Sequence, residues 1–167
     1  YTPNGCWFNP AGLFSMLTDS LIRYYPYSGD STLIPVVQEV LDYILANGTT
    51  PANFDWPNMP YASAPQGSTT YSGDGDPDID GVNGIEPDKD GEIGYALIKF
   101  YEMTGNGVYR DAAINIANTL ASKIRTGDAT RSPWPFRVDA QTGAIREEYT
   151  AHAVAPVKLF DELIRLN

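Results

Sequence analysis

Between Ala11 and Tyr25 the apolar side chains Leu13, Phe14, Leu17, Leu21, Ile22 and Tyr25 return every three or four residues, the period of a helix with one buried face. Pro26-Tyr27-Ser28-Gly29-Asp30 breaks the pattern. From Thr32 to Ala46 it resumes with Val36, Val37, Val40, Leu41, Ile44 and Leu45. Pro35 falls in the first turn of this second helix, where a missing N–H costs nothing. Asn47-Gly48 ends it with residues that tolerate a left-handed backbone. Two helices joined by so short a break predict an antiparallel αα-hairpin over residues 8–46.

The pattern occurs again further on. Leu21-Ile22-Arg23-Tyr24-Tyr25 matches Leu97-Ile98-Lys99-Phe100-Tyr101, and Ser28-Gly29-Asp30 then falls on Thr104-Gly105-Asn106. The helix from Val36 to Leu45 falls on Ala112 to Ala121 without a gap, which predicts a second hairpin over 90–125. A third hairpin begins at 150–167, where Lys158-Leu159-Phe160-Asp161-Glu162-Leu163 resembles Lys99-Phe100-Tyr101-Glu102-Met103. Such self-similarity implies an array of hairpins.

Two long segments separate the hairpins. Residues 50–90 are rich in Pro, Gly, Ser, Asn and Asp, and residues 126–148 contain Pro133, Pro135 and Gly143. Long connections in a compact domain are usually functional. Phe136-Arg137-Val138 and Ala144-Ile145-Arg146 flank a turn and predict a small β-hairpin. Tight turns therefore lie at one end of the helical layer and long loops at the other, and function belongs at the long-loop rim. The expected fold is all-α, one domain over residues 1–167.

Charge sharpens this picture. Of 21 acids and 11 bases, eight acids and one base lie between Asp74 and Glu92, so most of the net charge of −10 belongs to one rim loop. An acidic chain without clustered Lys and Arg excludes a nucleic-acid backbone and an anionic membrane surface as partners. No apolar run reaches the roughly 20 residues that span a bilayer. Residues 1–10 lack the basic and apolar regions of a signal peptide. Cys6 is the single cysteine, which excludes an internal disulfide and reads as a small buried residue. The Asn47-Gly48-Thr49 sequon is compatible with secretion and leaves the compartment open.

Gly91-Glu92-Ile93-Gly94-Tyr95-Ala96-Leu97, Phe100-Tyr101-Glu102-Met103-Thr104-Gly105 and Tyr109-Arg110-Asp111-Ala112-Ala113 resemble the hairpin signature of the six-hairpin (α/α)6-toroid superfamily. The resemblance covers roughly residues 8–46, 90–125 and 150–167. It implies a partial toroid, two hairpins and the start of a third, and hence a fragment of a larger toroid whose open edge pairs with the rest of the protein or another subunit. Glycoside hydrolases, polysaccharide lyases and sugar 2-epimerases share that fold, so the resemblance implies a carbohydrate substrate and no organic cofactor. A non-catalytic glycan-binding scaffold stabilised by calcium is the alternative from a different class.

On this reading the rim residues acquire roles. Glycosidases need two carboxylates held about 5–10 Å apart. Glu86 and Asp88, just ahead of a helix expected over 92–103 with Asp90 as its N-cap, are the candidate acid and base. His152 is a candidate catalytic base, since a lyase or epimerase must abstract a proton at a sugar carbon. Trp56, Tyr71, Trp134 and Tyr149 are candidate substrate contacts, because flat aromatic faces suit pyranose rings, and Arg137 is another, because a lyase must neutralise a uronate carboxylate. The competing role for the aromatics is pinning long loops to the helical layer, worth about 1.5–3 kcal/mol each. Asp76, Asp78 and Asp80, alternating and followed by Gly81, form a partial calcium-loop signature. Its twelfth position is Pro87 rather than glutamate.

Overall fold

A computed structural model describes residues 7–8, 10–65, 67–76 and 78–166; Cys6 lies outside the described residues. Five helices run through them: α1 (Pro10–Ser28), α2 (Leu33–Asn47), α3 (Pro87–Thr104), α4 (Gly107–Ser122) and α5 (Val154–Arg165). The fold is mostly helical, built from antiparallel hairpins α1–α2 and α3–α4 with α5 beside them. None of these helices is long and apolar enough to cross a membrane.

Contacts between the helices fix their directions. Gly12 lies against Lys89 and Ser15 hydrogen-bonds Glu92, while Arg23 reaches the Tyr95 hydroxyl, so α1 and α3 are parallel. Gly91 meets Pro156, Gly94 meets Leu159, and Lys99 pairs with Glu162, so α3 and α5 are parallel too. On another side of α3, Gly94 faces Ile116 and the Phe100 ring meets Tyr109 edge-on at 4.9 Å, which makes α4 antiparallel. The first helices of successive hairpins thus stand side by side, with their N-termini at the long-loop rim.

The glycines of the Gly91-Glu92-Ile93-Gly94 stretch explain how α5 comes so near. A Cβ on Gly91 would sit 2.4 Å from the Pro156 backbone nitrogen, and one on Gly94 would sit 2.6 Å from Leu159 Cδ2. Ile93, Leu97, Ile98 and Phe100 fill the core around this contact with Leu41, Ile44, Ile116, Leu120 and Leu159. Helix α1 is less enclosed: Leu13, Met16, Leu17 and Tyr24 stay largely exposed, although Leu13 and Leu17 belong to the apolar stripe read as its buried face.

The long connections are tied down. Strand β1 (Trp7–Phe8) pairs antiparallel with β2 (Ser63–Ala64). Strands β3 (Gly84–Ile85), β4 (Arg137–Asp139) and β5 (Ile145–Glu147) form an antiparallel sheet in that order. The expected β-hairpin is therefore present, shifted by one residue, and it gains a third strand from the acidic loop.

Three local expectations are corrected. Helix α1 runs through Pro26, which sits in its last turn instead of ending it. Gly48 has φ −132°, so it is not a left-handed cap; its hydrogen is needed because a Cβ would lie 2.6 Å from Tyr71 Cδ2. Helix α3 starts at Pro87, with Glu86 extended at the N-cap and Asp90 inside the first turn. Proline's fixed φ and missing N–H suit the first helical position, and they pull the start five residues ahead of the expected one.

The Gly91 contact carries a test. Alanine replacing glycine inside a helix ordinarily stabilises by about 1 kcal/mol. Here the obstructing atom is backbone and cannot swing away, so overpacking sets the sign. Gly91→Ala is expected to destabilise the protein by about 1–3 kcal/mol in denaturant unfolding.

Candidate active site

The acidic loop delivers an unusual charge density to the start of α3. Asp80, Glu86, Asp88 and Asp90 are all buried, Glu86 to 1% and Asp90 to 0% exposure. Acids are favoured in the first turn of a helix by its unpaired N–H groups and dipole. That effect is small against the cost of burying charge, so partners decide the state of each group.

Arg137 on β4 supplies the main counter-charge. Its Nε lies 3.0 Å from Asp80 Oδ1 and 3.4 Å from Glu86 Oε1, and its Nη1 lies 2.7 Å from Glu147 Oε2. Arg146 donates to the backbone oxygens of Asp80 and Val82 and to Asp139. Asp88 accepts from the Lys89 amide at 2.8 Å and the Thr150 hydroxyl at 3.3 Å, with Lys89 Nζ 3.9 Å away. One guanidinium cannot neutralise this many carboxylates. Burial, with the neighbouring Asp80 and Asp88 charges adding to it, pushes the Glu86 carboxyl up to about 8. Burial likewise raises Asp80 and Asp88, and raises Asp90 well above the usual range, beside Asp88 and Glu86. Among the described residues neither Asp90 oxygen has a hydrogen-bond partner. Burial and mutual repulsion thus favour the protonated forms across the cluster.

This burial corrects the roles expected of Glu86 and Asp88. Both are closed off from solvent inside the structure that starts α3, and neither can meet a sugar there. Arg137, expected to contact substrate, is engaged with Asp80, Glu86 and Glu147, and its guanidinium lies 4.5 Å over the Phe136 ring. Asp76, Asp78 and Asp80 do not converge either. Gly81 turns sharply with φ +71°, but Asp80 points to Arg137, while Asp76 Oδ1 accepts from the Asp78 amide at 3.1 Å within its own loop. Among the described residues no group of three His, Cys, Asp or Glu side chains is placed to hold a metal ion.

The aromatics separate into two groups. Trp56 is 4% exposed, with Lys123 Nζ 5.7 Å from its ring centre. Trp134 is 2% exposed and donates from Nε1 to the Leu120 carbonyl at 2.8 Å. Tyr71 is buried against Gly48 and meets Tyr43 edge-on at 6.1 Å. Trp56 and Trp134 are thus packed as loop pins rather than open to a ligand, whereas Tyr71 also lines a cavity of about 360 Å³ with Phe14, Val40 and Tyr43. Tyr149, by contrast, is exposed and lines a cavity of about 490 Å³ with Asp128, Arg131, Ser132 and Thr150.

His152 opens onto a different cavity, and it is the feature that assembles a site. This cavity, about 400 Å³, lies where the N-terminal halves of α1, α3 and α5 meet. Ser15, Met16 and Asp19 come from α1, Lys89, Glu92 and Tyr95 from α3, and Ala155 and Lys158 from α5. His152 is 48% exposed, and its Nε2 lies 2.7 Å from Glu92 Oε1. Glu92 also accepts from Ser15 Oγ at 3.2 Å and from Lys89 Nζ at 3.4 Å. Asp19 pairs with Arg23 at 2.8 Å, and Arg23 reaches the Tyr95 hydroxyl at 3.3 Å. Sequence reasoning assigned Glu92 to the helix start and passed over Asp19, Lys89, Tyr95 and Lys158. The available signal was the spacing Lys89, Glu92, Tyr95, one polar stripe along α3.

No protein-family model and no curated protein matches the sequence. Among solved structures, the chain is similar to a crystal structure of a family 76 glycoside hydrolase from a bovine Bacteroides thetaiotaomicron strain. The match has a TM-score of 0.64 at 16% identity, and covers 92% of this chain and 30% of that one. The likeness is one of fold. This chain spans under a third of the length of the glycoside hydrolase it resembles.

The buried carboxylates give a pH test. A group whose folded-state affinity for its proton is raised loses stability as pH climbs from its unfolded value toward its folded one, here from 4.5 to about 8 for Glu86. Asp80, Asp88 and Asp90 act in the same direction. The melting temperature is expected to fall by on the order of 5–10 °C between pH 5.5 and 8.5. Glu86→Gln is expected to flatten that slope, measured by thermal unfolding across the pH range.

Proposed function

We propose that this chain supplies a sugar-handling wall of a glycoside hydrolase, with the cavity at the meeting of α1, α3 and α5 as its site. The observation that carries the reading is the pair of carboxylates on that cavity, Glu92 and Asp19, one hydrogen-bonded to a half-exposed histidine. Fold likeness to a glycoside hydrolase supports a carbohydrate substrate in general. The exposed apolar residues of α1 support its working beside further protein surface.

Glycosidic cleavage needs an acid on the leaving oxygen and a base or nucleophile across the ring. Glu92 takes the acid role, and His152 relays the proton to and from it through their hydrogen bond. Asp19, placed by Arg23, takes the base role. The Tyr95 hydroxyl bonds sugar hydroxyls, the buried Ser15 hydroxyl holds Glu92 in place, and Lys89 ties the site to the buried cluster through Asp88.

Release of reducing ends from a panel of neutral and acidic polysaccharides tests this reading. Glu92→Gln and Asp19→Asn are each expected to lower kcat by at least about 100-fold with the melting temperature kept. Glu86→Gln is expected to move stability and leave turnover at the wild-type order. The opposite pattern, with turnover lost in Glu86→Gln and kept in Glu92→Gln, would return the chemistry to the buried cluster.

A further inference from the structure

We infer that the cavity between α1, α3 and α5 receives the carboxylate of an acidic sugar, with Lys158 as its anchoring cation. This rests on the carbohydrate reading above and adds the chemical class of the sugar.

The pairing of charges among the described residues singles out Lys158. Acids outnumber bases 21 to 11, so a cation without an acid beside it is not expected by chance. All seven arginines are ion-paired: Arg23, Arg110, Arg125, Arg131, Arg137, Arg146 and Arg165 each lie within 4 Å of a carboxylate. Three of the four lysines, Lys89, Lys99 and Lys123, do so as well. Lys158 is the one base without an acidic partner among the described residues, and it is exposed and lines the cavity that holds His152.

The cavity's other groups fit the rest of a uronate. The two carboxylates on its wall are already engaged, Asp19 by Arg23 and Glu92 by Lys89 and His152, which leaves the Lys158 ammonium for an incoming anion. Met16 and the Tyr95 ring give apolar surface for the C–H face of a pyranose, and His152 and the Tyr95 hydroxyl give hydrogen-bonding groups for its hydroxyls. A volume of about 400 Å³ accommodates one or two sugar rings. Lysine is a compact point charge on a flexible stem, so it follows a carboxylate without demanding one fixed geometry.

The test is calorimetric binding of trimeric galacturonate, glucuronate and mannuronate, each beside its fully methyl-esterified form, to the full chain. The esters keep ring, linkage and length and remove only the charge. At least one acid is expected to bind about tenfold more tightly than its ester, the worth of one hydrogen bond to a charged group. Lys158→Met is expected to bring that acid down to the affinity of the ester, with an unchanged melting temperature, and Lys158→Arg to restore the preference. Equal binding of acids and esters would overturn the inference and leave the carbohydrate reading standing. An acid preference untouched by Lys158→Met would overturn it as well. Failure of every acid and ester to bind would remove both.

Discussion

The close approach of α5 to α3 over Gly91 and Gly94 sets the geometry of everything at the rim. With a backbone nitrogen 2.4 Å from where a Cβ would stand, Pro156 and the first turn of α5 lie directly on the first turn of α3. The start of α3 that it positions carries the buried Glu86, Asp88 and Asp90 on one side. On the other side the contact brings His152, immediately before α5, within hydrogen-bonding distance of Glu92. Interiors are close-packed, so a contact of this kind fixes its neighbours within a few tenths of an ångström.

Buried acid and exposed cavity are therefore two consequences of one packing arrangement, and Lys89 joins them. Its ammonium lies 3.9 Å from buried Asp88 and 3.4 Å from Glu92 on the cavity wall. Charge that is costly in the interior is held partly by proton uptake and partly by Arg137, Arg146 and Lys89. The β4–β5 hairpin, which carries both arginines, consequently serves as a clamp that keeps the acidic loop against the helical layer.

Helix periodicity and turn residues made the fold legible from the chain itself: the two hairpins, the rim placement of the long loops and the β4–β5 pair all follow from local pattern. Boundaries moved where a single residue had two readings, as at Pro26 and Pro87, because proline ends one helix and starts another equally well. The candidate site was legible only in part. His152 stands where a rim residue should, but Glu86 and Asp88 looked available because acidity in a sequence suggests solvent. What seals them is tertiary: strand β3 pairing with β4, Arg137 reaching back over some 50 residues, and α5 closing down over Gly91. Trp56 and Trp134 illustrate the same point, since a loop aromatic binds ligand or pins its loop according to neighbours that no local pattern specifies.

Backbone amide chemical-shift mapping of the protein with added oligosaccharide locates the site. A site at the meeting of α1, α3 and α5 predicts shifts centred on Ser15, Lys89, Glu92, His152 and Lys158. Shifts centred instead on Asp128, Arg131 and Tyr149, around the neighbouring 490 Å³ cavity, would contradict it.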